Sequence, residues 1–283
     1  MGADSKPLNT LSSLHGMAQL KSSEFEAALL ALIGPYLSTG RLMPVICCGM
    51  VGSRQGWAEA SYLSVPCPPP AGEIATQVPA TDPRMAVFIL PGIKQIKPAD
   101  VMRGEETQIA GFLHHDPDFD GVICLPGTHT KWVHISAGEI VSFQTFMTGE
   151  LFSLLSKQSV LRHSVTTDEW DATAFSVGVE DAMSRPQAVA AQLFGLRAGS
   201  LVADLSPSSA RSRLSGLLIG TELAAARPYW LGRNVAIIGA DFVAGLYGDA
   251  LVKQGLNTSA VDVEAMTLLG LHAAKRSLKD FAI

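Results

Sequence analysis

The chain has 283 residues, 47% apolar and 17% charged, and a formal net charge of −5. That length and apolar content allow a sizeable core and exclude a disordered chain. The acidic balance, with no concentrated basic patch, excludes a general nucleic-acid binder, and the absence of a long apolar run excludes a membrane span.

In chain order, Ser23 and Glu26 make a capping-box pattern ahead of Phe25, Leu29, Leu32, Ile33 and Tyr36, which share one helical face. Pro44–Val51 reads as a fully buried strand. It leads into Gly52–Trp57, a polar loop at a strand's C-terminal end, where α/β proteins place ligand contacts. The proline-rich segment 62–81 reads as an extended surface loop, Ala86–Leu90 as a buried strand, and Lys94–Ala99 as a crossover into a second domain, with Lys94 a candidate contact for a substrate anion. Cys47, Cys48, Cys67 and Cys124 show no Cys-x-x-Cys spacing, so neither a zinc site nor a disulfide framework is expected. The start lacks a basic region followed by an apolar core, so no signal peptide is read and the cytoplasm is the default.

The most informative stretch is 100–132. Glu105 and Glu106 open a helix, where a carboxylate can take a proton from an attacking hydroxyl or simply complement the helix dipole. His114 and His115 at the end of that helix suit its dipole better than a metal. Gly127, Thr128, His129, Thr130 and Lys131 form a turn between the apolar strand 121–125 and a second strand, 131–135. Such a turn offers backbone N–H groups, hydroxyls and a cation to a phosphate, and the same composition also suits a plain turn. Beyond the hairpin strand 139–146 the pattern becomes helical, with a helix from Thr148 and others over 168–183, 186–201 and 208–226, the last carrying the polar Gly220-Thr221-Glu222 among apolar neighbours. Strand 234–238, a turn at Gly239-Ala240-Asp241, a helix to 253, strand 259–263 and an amphipathic helix 264–278 close the chain.

Asp100–Gln108 (DVMRGEETQ), Leu125–Trp132 (LPGTHTKW) and Phe146–Leu155 (FMTGELFSLL) together resemble the 2-dehydro-3-deoxygalactonokinase family. Cys48–Trp57 (CGMVGSRQGW), Pro91–Gln95 (PGIKQ), Gly216–Leu223 (GLLIGTEL) and Ile237–Asp241 (IIGAD) agree with it. The resemblance implies an α/β fold of the actin-like ATPase (ribonuclease-H-like) sugar-kinase type, with a partial N-terminal domain over 1–98 and a C-terminal domain over 99–283. It implies ATP and Mg2+, a small-molecule sugar acid as partner, and phosphorylation of the 6-hydroxyl of 2-dehydro-3-deoxy-D-galactonate. A homodimer is left open.

By the same resemblance Glu105 takes the position of the general base, with Glu106 the alternative. Arg54, Gln55, Trp57 and Arg103 face the substrate. Gly127, Thr128, His129, Thr130 and Lys131 form the phosphate loop, Gly239 and Ala240 meet the adenosine, and Glu150 lines the site; no metal ligand is assigned. Kinases of this class open with a strand-turn-strand bearing Asp-x-Gly-Thr, which residues 1–20 lack, Asp4-Ser5-Lys6 being a poor counterpart. The N-terminal domain is therefore expected to be truncated, or the true start to lie upstream. A non-catalytic sugar-acid-binding module and a kinase for another sugar acid are the alternatives.

Overall fold

The computed structural model describes residues 7–16 and 19–278; Asp4, Ser5 and Lys6 lie outside them. The elements run α1 (Phe25–Ile33), β1 (Met43–Cys47), β2 (Tyr62–Ser64), β3 (Thr76–Val78), β4 (Met85–Ile89), β5 (Gly92–Gln95), β6 (Asp100–Met102) and α2 (Glu105–His115). Next come β7 (Gly121–Leu125), β8 (Thr130–Ser136), β9 (Glu139–Phe146), α3 (Thr148–Lys157), α4 (Ala172–Ser184), α5 (Val189–Val202), α6 (Pro207–Ala225) and α7 (Arg227–Trp230). The chain continues with β10 (Val235–Gly239), α8 (Asp241–Val252), β11 (Thr258–Asp262) and α9 (Val263–Arg276). The result is an α/β protein with mixed sheets in two compact units. Unit 1 takes 1–120, 135–142 and 262–283, and unit 2 takes 121–134 and 143–261.

Unit 1 contains two three-stranded sheets. In the order β1-β4-β3, β1 is parallel and β3 antiparallel to β4; in the order β2-β5-β6, β2 is parallel and β6 antiparallel to β5. Val78, Met85, Val87 and Ile89 form a core with Leu37 and Ala60, against which α1 lays Leu29, Leu30 and Ile33. Helices α2 and α9 cross at two glycines. A Cβ on Gly111 would lie 1.9 Å from the Met266 carbonyl oxygen, and one on Gly270 would lie 1.9 Å from that of Thr107. Only hydrogen at those two positions lets the backbones approach so closely.

The core of unit 2 lies on the five-stranded sheet β11-β10-β7-β8-β9, with β10 parallel to β7; residues 135–142 of the β8–β9 hairpin are counted with unit 1. Ala137 and Gly138 both have positive φ, as the two-residue turn of the β8–β9 hairpin requires. Val122, Cys124, Trp132, Val235 and Ile237 of the sheet pack with Phe175, Val179, Leu223 and Tyr247 of the helices. The α4–α6 contact is again a glycine crossing: a Cβ on Gly216 would lie 2.1 Å from the Phe175 carbonyl oxygen, and one on Gly220 2.6 Å from that of Val179.

Several local expectations change. Glu26 does not close a capping box; its carboxylate accepts from the Thr81 N–H (2.8 Å), the Thr81 hydroxyl (2.7 Å) and the Asp82 N–H (2.9 Å). Glu24 takes the capping role instead, accepting from the Lys21 N–H at 2.7 Å. Strand β1 is half-buried rather than fully buried, because it ends a three-stranded sheet. The 62–81 loop contains β2 and β3, whose pairing with β5 and β4 outweighs the local proline content. The expected 98–99 boundary falls between β5 and β6, which pair with each other. Helix α4 starts at Ala172 rather than Asp168, because the Asp171 carboxylate accepts from the N–H groups of Thr173 and Ala174, both at 3.0 Å. Among the described residues, no helix is long and apolar enough to cross a membrane.

Candidate active site

In unit 2 a cavity of about 630 Å³ opens among the β7–β8 loop and helices α3, α6 and α8, a volume typical of small-molecule sites. Its lining combines the polar backbone of Gly127, Thr128, Thr148 and Gly149, the apolar Trp170, Phe242 and Ile219, and the ion pair of Asp168 and Arg211 at 3.0 Å. Trp170 meets Phe242 edge-on with ring centroids 5.2 Å apart.

The polar lining follows from local chemistry. Strand β7 is buried along its length and ends at Leu125, just before Pro126, beyond which Gly127, Thr128 and His129 are exposed. The loop is tied to the first turn of α3 twice. The Glu150 N–H donates to the Thr128 carbonyl at 2.9 Å, and the Glu150 carboxylate meets the His129 ring at 2.5 Å. Gly149 makes this possible, since a Cβ there would lie 2.3 Å from the Gly127 carbonyl oxygen. Gly127 itself has open space where a Cβ would stand. The first N–H groups of a helix have no partner within it, so the start of α3 presents donors to an anion beside the loop.

Beneath this polar lining lies Glu222, 2% exposed. It accepts from the Trp132 indole N–H (2.8 Å), the Tyr247 hydroxyl (2.8 Å) and the Thr148 hydroxyl, while Thr130 and Tyr247 exchange a hydrogen bond at 3.1 Å. Burial pushes the carboxyl up to about 7, against the lowering effect of these donors.

Unit 1 gathers the other candidates. The loop after β1 packs on the start of α2: a Cβ on Gly104, whose φ is +115°, would lie 3.3 Å from the Gly49 Cα. Glu105 is half-buried and accepts from the Arg103 N–H at 3.1 Å. Glu106 is wholly buried, with both oxygens 2.7 Å from the Gly104 nitrogen. Burial pushes its carboxyl up to about 7, opposed by the backbone N–H groups of Glu106 and Gly104.

Arg54 and Gln55 are exposed on the loop, the Arg54 side chain being 80% exposed and 3.5 Å from Glu59. Trp57 stacks on Phe25 at 6.3 Å and packs against the unit 1 core. The Arg103 guanidinium donates to the Ala60 carbonyl (2.8 Å) and the Tyr62 hydroxyl (3.3 Å) and sits over the Tyr62 ring.

Of the phosphate-loop residues, Gly127 and Thr128 line the cavity and His129 braces the loop. Thr130 and Lys131 are buried, with the Lys131 Nζ donating to the His129 carbonyl at 3.2 Å. Gly239 is buried against Pro126 and Ala240 caps α8; the cavity is lined instead by Phe242, Val243, Leu246 and Tyr247 of that helix. Trp170, Arg211, Phe242 and Tyr247 carried no signal in the sequence. Glu222 did, as an acid among apolar helical neighbours. Among the described residues there is no group of three or more His, Cys, Asp or Glu placed to hold a metal, and His114 and His115 close the last turn of α2.

A family profile described as 2-keto-3-deoxy-galactonokinase matches residues 1–274. A protein of Rhizobium meliloti (strain 1021) named "Probable 2-dehydro-3-deoxygalactonokinase DgoK1" is 38% identical, over 98% of this chain and 92% of its own. The 2-dehydro-3-deoxygalactonokinase of Escherichia coli (strain K12) is 36% identical, over 77% and 73%. A crystal structure from Sinorhizobium meliloti, described provisionally as a 2-dehydro-3-deoxygalactonokinase, superposes with a TM-score of 0.90 at 36% identity. It covers 99% of this chain and 94% of that one.

Proposed function

The chain belongs to the 2-keto-3-deoxy-galactonokinase family, and on that premise we propose that it transfers the γ-phosphoryl group of ATP to the 6-hydroxyl of 2-dehydro-3-deoxy-D-galactonate in D-galactonate breakdown. The observation that carries this reading is the cavity of unit 2, whose lining combines the Gly127-Thr128 loop and the first turn of α3 with aromatic and aliphatic side chains. A nucleotide has those two chemistries along its length. The fold in this reading is the two-domain actin-like ATPase type, with the nucleotide in unit 2 and the acceptor in unit 1.

Phosphoryl transfer depends on positioning and charge neutralisation more than on covalent chemistry. The α3 N-terminus and the Gly127-Thr128 backbone receive the phosphates, while Trp170 and Phe242 wall the base. Magnesium would arrive with the nucleotide phosphates, needing only one or two protein carboxylates rather than a protein cage, and would supply charge neutralisation at the transferred group. Arg54, exposed on its loop, offers a bidentate partner for the sugar-acid carboxylate, with Gln55 beside it.

Glu105 is the base in this reading. A base must come within hydrogen-bond reach of the proton it takes, and of the two acids only Glu105 is accessible. Arg103 supports the site by holding the Ala60 carbonyl and Tyr62, and Trp57 anchors the loop in the core.

An ADP-release assay with magnesium-ATP and the sugar acid tests the proposal. Release that depends on the galacto-configured acid and exceeds that with its gluco isomer is expected. Faster turnover of the gluco acid would reassign the substrate. No release, with the acid still raising the melting temperature, would make the chain a binding module.

A further inference from the structure

The donor-site reading uses the surface of the cavity and leaves its buried floor unexplained. Glu222 stands on α6 beside Trp132 and Cys124 of the apolar core of unit 2. A carboxylate buried there is costly unless it is matched by donors, and the match is unusually full. Oε1 takes the Trp132 indole N–H, and Oε2 takes the hydroxyls of both Thr148 and Tyr247. These partners lie on β8, α3 and α8, the elements that carry the loop, the helix N-terminus and a wall of the cavity.

An ionised carboxylate can only accept, so it dictates the direction of every bond around it. Thr148 and Tyr247 must donate inward, and Tyr247 must then accept from Thr130. With its proton turned inward, the Thr148 hydroxyl offers the cavity lone pairs alone, which suit a phosphate oxygen poorly. Protonating the carboxyl reverses this: its O–H donates to the Thr148 oxygen, and the Thr148 proton turns outward. One proton is taken from solvent, and no covalent bond between heavy atoms changes.

Resting on the reading of this cavity as the nucleotide site, we infer that Glu222 is a positioning residue. Acting through Thr148, it decides whether that hydroxyl points its proton at the protein or at a bound phosphate. The consequence is that binding of a nucleoside diphosphate is coupled to protonation of Glu222. The carboxyl is suited to this, because burial already places it at about 7. A bound phosphate adds negative charge nearby and favours the neutral form further.

The other titratable groups facing Glu222 are Cys124 on β7 and Tyr247 on α8, both pushed well up by burial and so neutral. Lys131 on β8 neighbours Trp132 in sequence, but alternation turns its side chain to the other face of the strand, where its Nζ reaches the His129 carbonyl. Glu150 on α3 is engaged by His129.

Glu222→Gln separates this role from mere packing. The Trp132 N–H cannot reverse, so the amide oxygen must face it and the amide NH₂ must face the other two: it donates to Thr148, as the O–H of the protonated acid does, and to Tyr247, which then turns its own proton to Thr130. The variant should fold and hold Thr148 permanently outward.

Binding of magnesium-ADP and of adenosine to the full chain would be measured from about pH 6.5 to about pH 8.5. For the wild type, the ADP Kd should rise about tenfold across that range, as loss of one linked proton allows, and the adenosine Kd should stay level. In Glu222→Gln the ADP Kd should change less than about twofold, and in Thr148→Val it should be weaker, with a pH slope well below that of the wild type. The second variant also decides the matter should the first not fold.

A wild-type slope that persists in both variants would overturn the inference and assign the linkage to another group, such as His129. A flat wild-type profile would overturn it as well. If the wild type binds adenosine and ADP at no concentration, the donor-site reading itself falls, and this inference with it.

Discussion

The adjacent acids Glu105 and Glu106 show how one residue's step along a helix changes its chemistry. A helix turns about 100° per residue, so Glu105 stays half-exposed while Glu106 is carried wholly into the protein, its carboxylate on the Gly104 N–H. Glu105→Gln should therefore lower kcat by at least about a hundredfold, the usual scale of general-base loss, while leaving the ADP Kd within about twofold. Single-turnover kinetics with titrated ADP would check this, and near-normal turnover would remove Glu105 as the base. The sequence showed both carboxylates and their helix. It could not show which one the tertiary contacts would bury.

At the scale of elements, helical glycines divide by what a methyl group would meet. Gly270 on α9 faces the Thr107 carbonyl of α2 at a hypothetical Cβ distance of 1.9 Å, whereas Gly245 on α8 has nothing within 4 Å. Gly270→Ala should destabilise by about 1–3 kcal/mol through forced separation of the helices. Gly245→Ala should stabilise by about 0.5–1 kcal/mol through lost unfolded-state freedom. Urea unfolding of the two variants would measure both; equal signs would refute the glycine-crossing account.

The elements themselves were largely legible. Residues 121–125, 139–146 and the helix from Thr148 stand where the sequence pattern predicts, because a continuous apolar run, a partial alternation and a first-turn acid are each local marks. Short strands such as β2 and β3 were not legible, since three residues in a proline-rich stretch carry no period and are defined by their partners. The helix glycines were equally silent, since their reason lies on another helix.

For the molecule as a whole, each unit holds, among the described residues, one buried acid with a raised pKa, and their effects on stability share a sign. Glu106 and Glu222 both move from an ordinary value of 4.5 to about 7 on folding. The folded state then holds more protons than the unfolded chain between those values, so stability falls as pH rises from about 4.5 through about 7. The opposite contribution of Asp82, lowered to about 2 by the Arg84 side chain, lies below that window and is lost only as pH falls from 3.8 toward 2. Chemical unfolding at about pH 5 and about pH 8 should show the wild type less stable at the higher pH. Glu106→Gln should narrow that difference, and an undiminished difference would mean that Glu106 is not the source.

The sequence by itself determined the family, the α/β class and the exposed Gly127-Thr128 loop, because each rests on contiguous residues whose pattern is local. Tertiary structure alone decided that Gly149 rather than Gly127 permits the close approach at the loop, and that Trp170 and Phe242 wall the cavity. It also gathered Thr130, Trp132, Thr148 and Tyr247 around Glu222. Those relations join residues up to 117 positions apart. A hydrogen bond across such a separation leaves no periodic mark in the chain; it exists only once the sheet and the helices have packed.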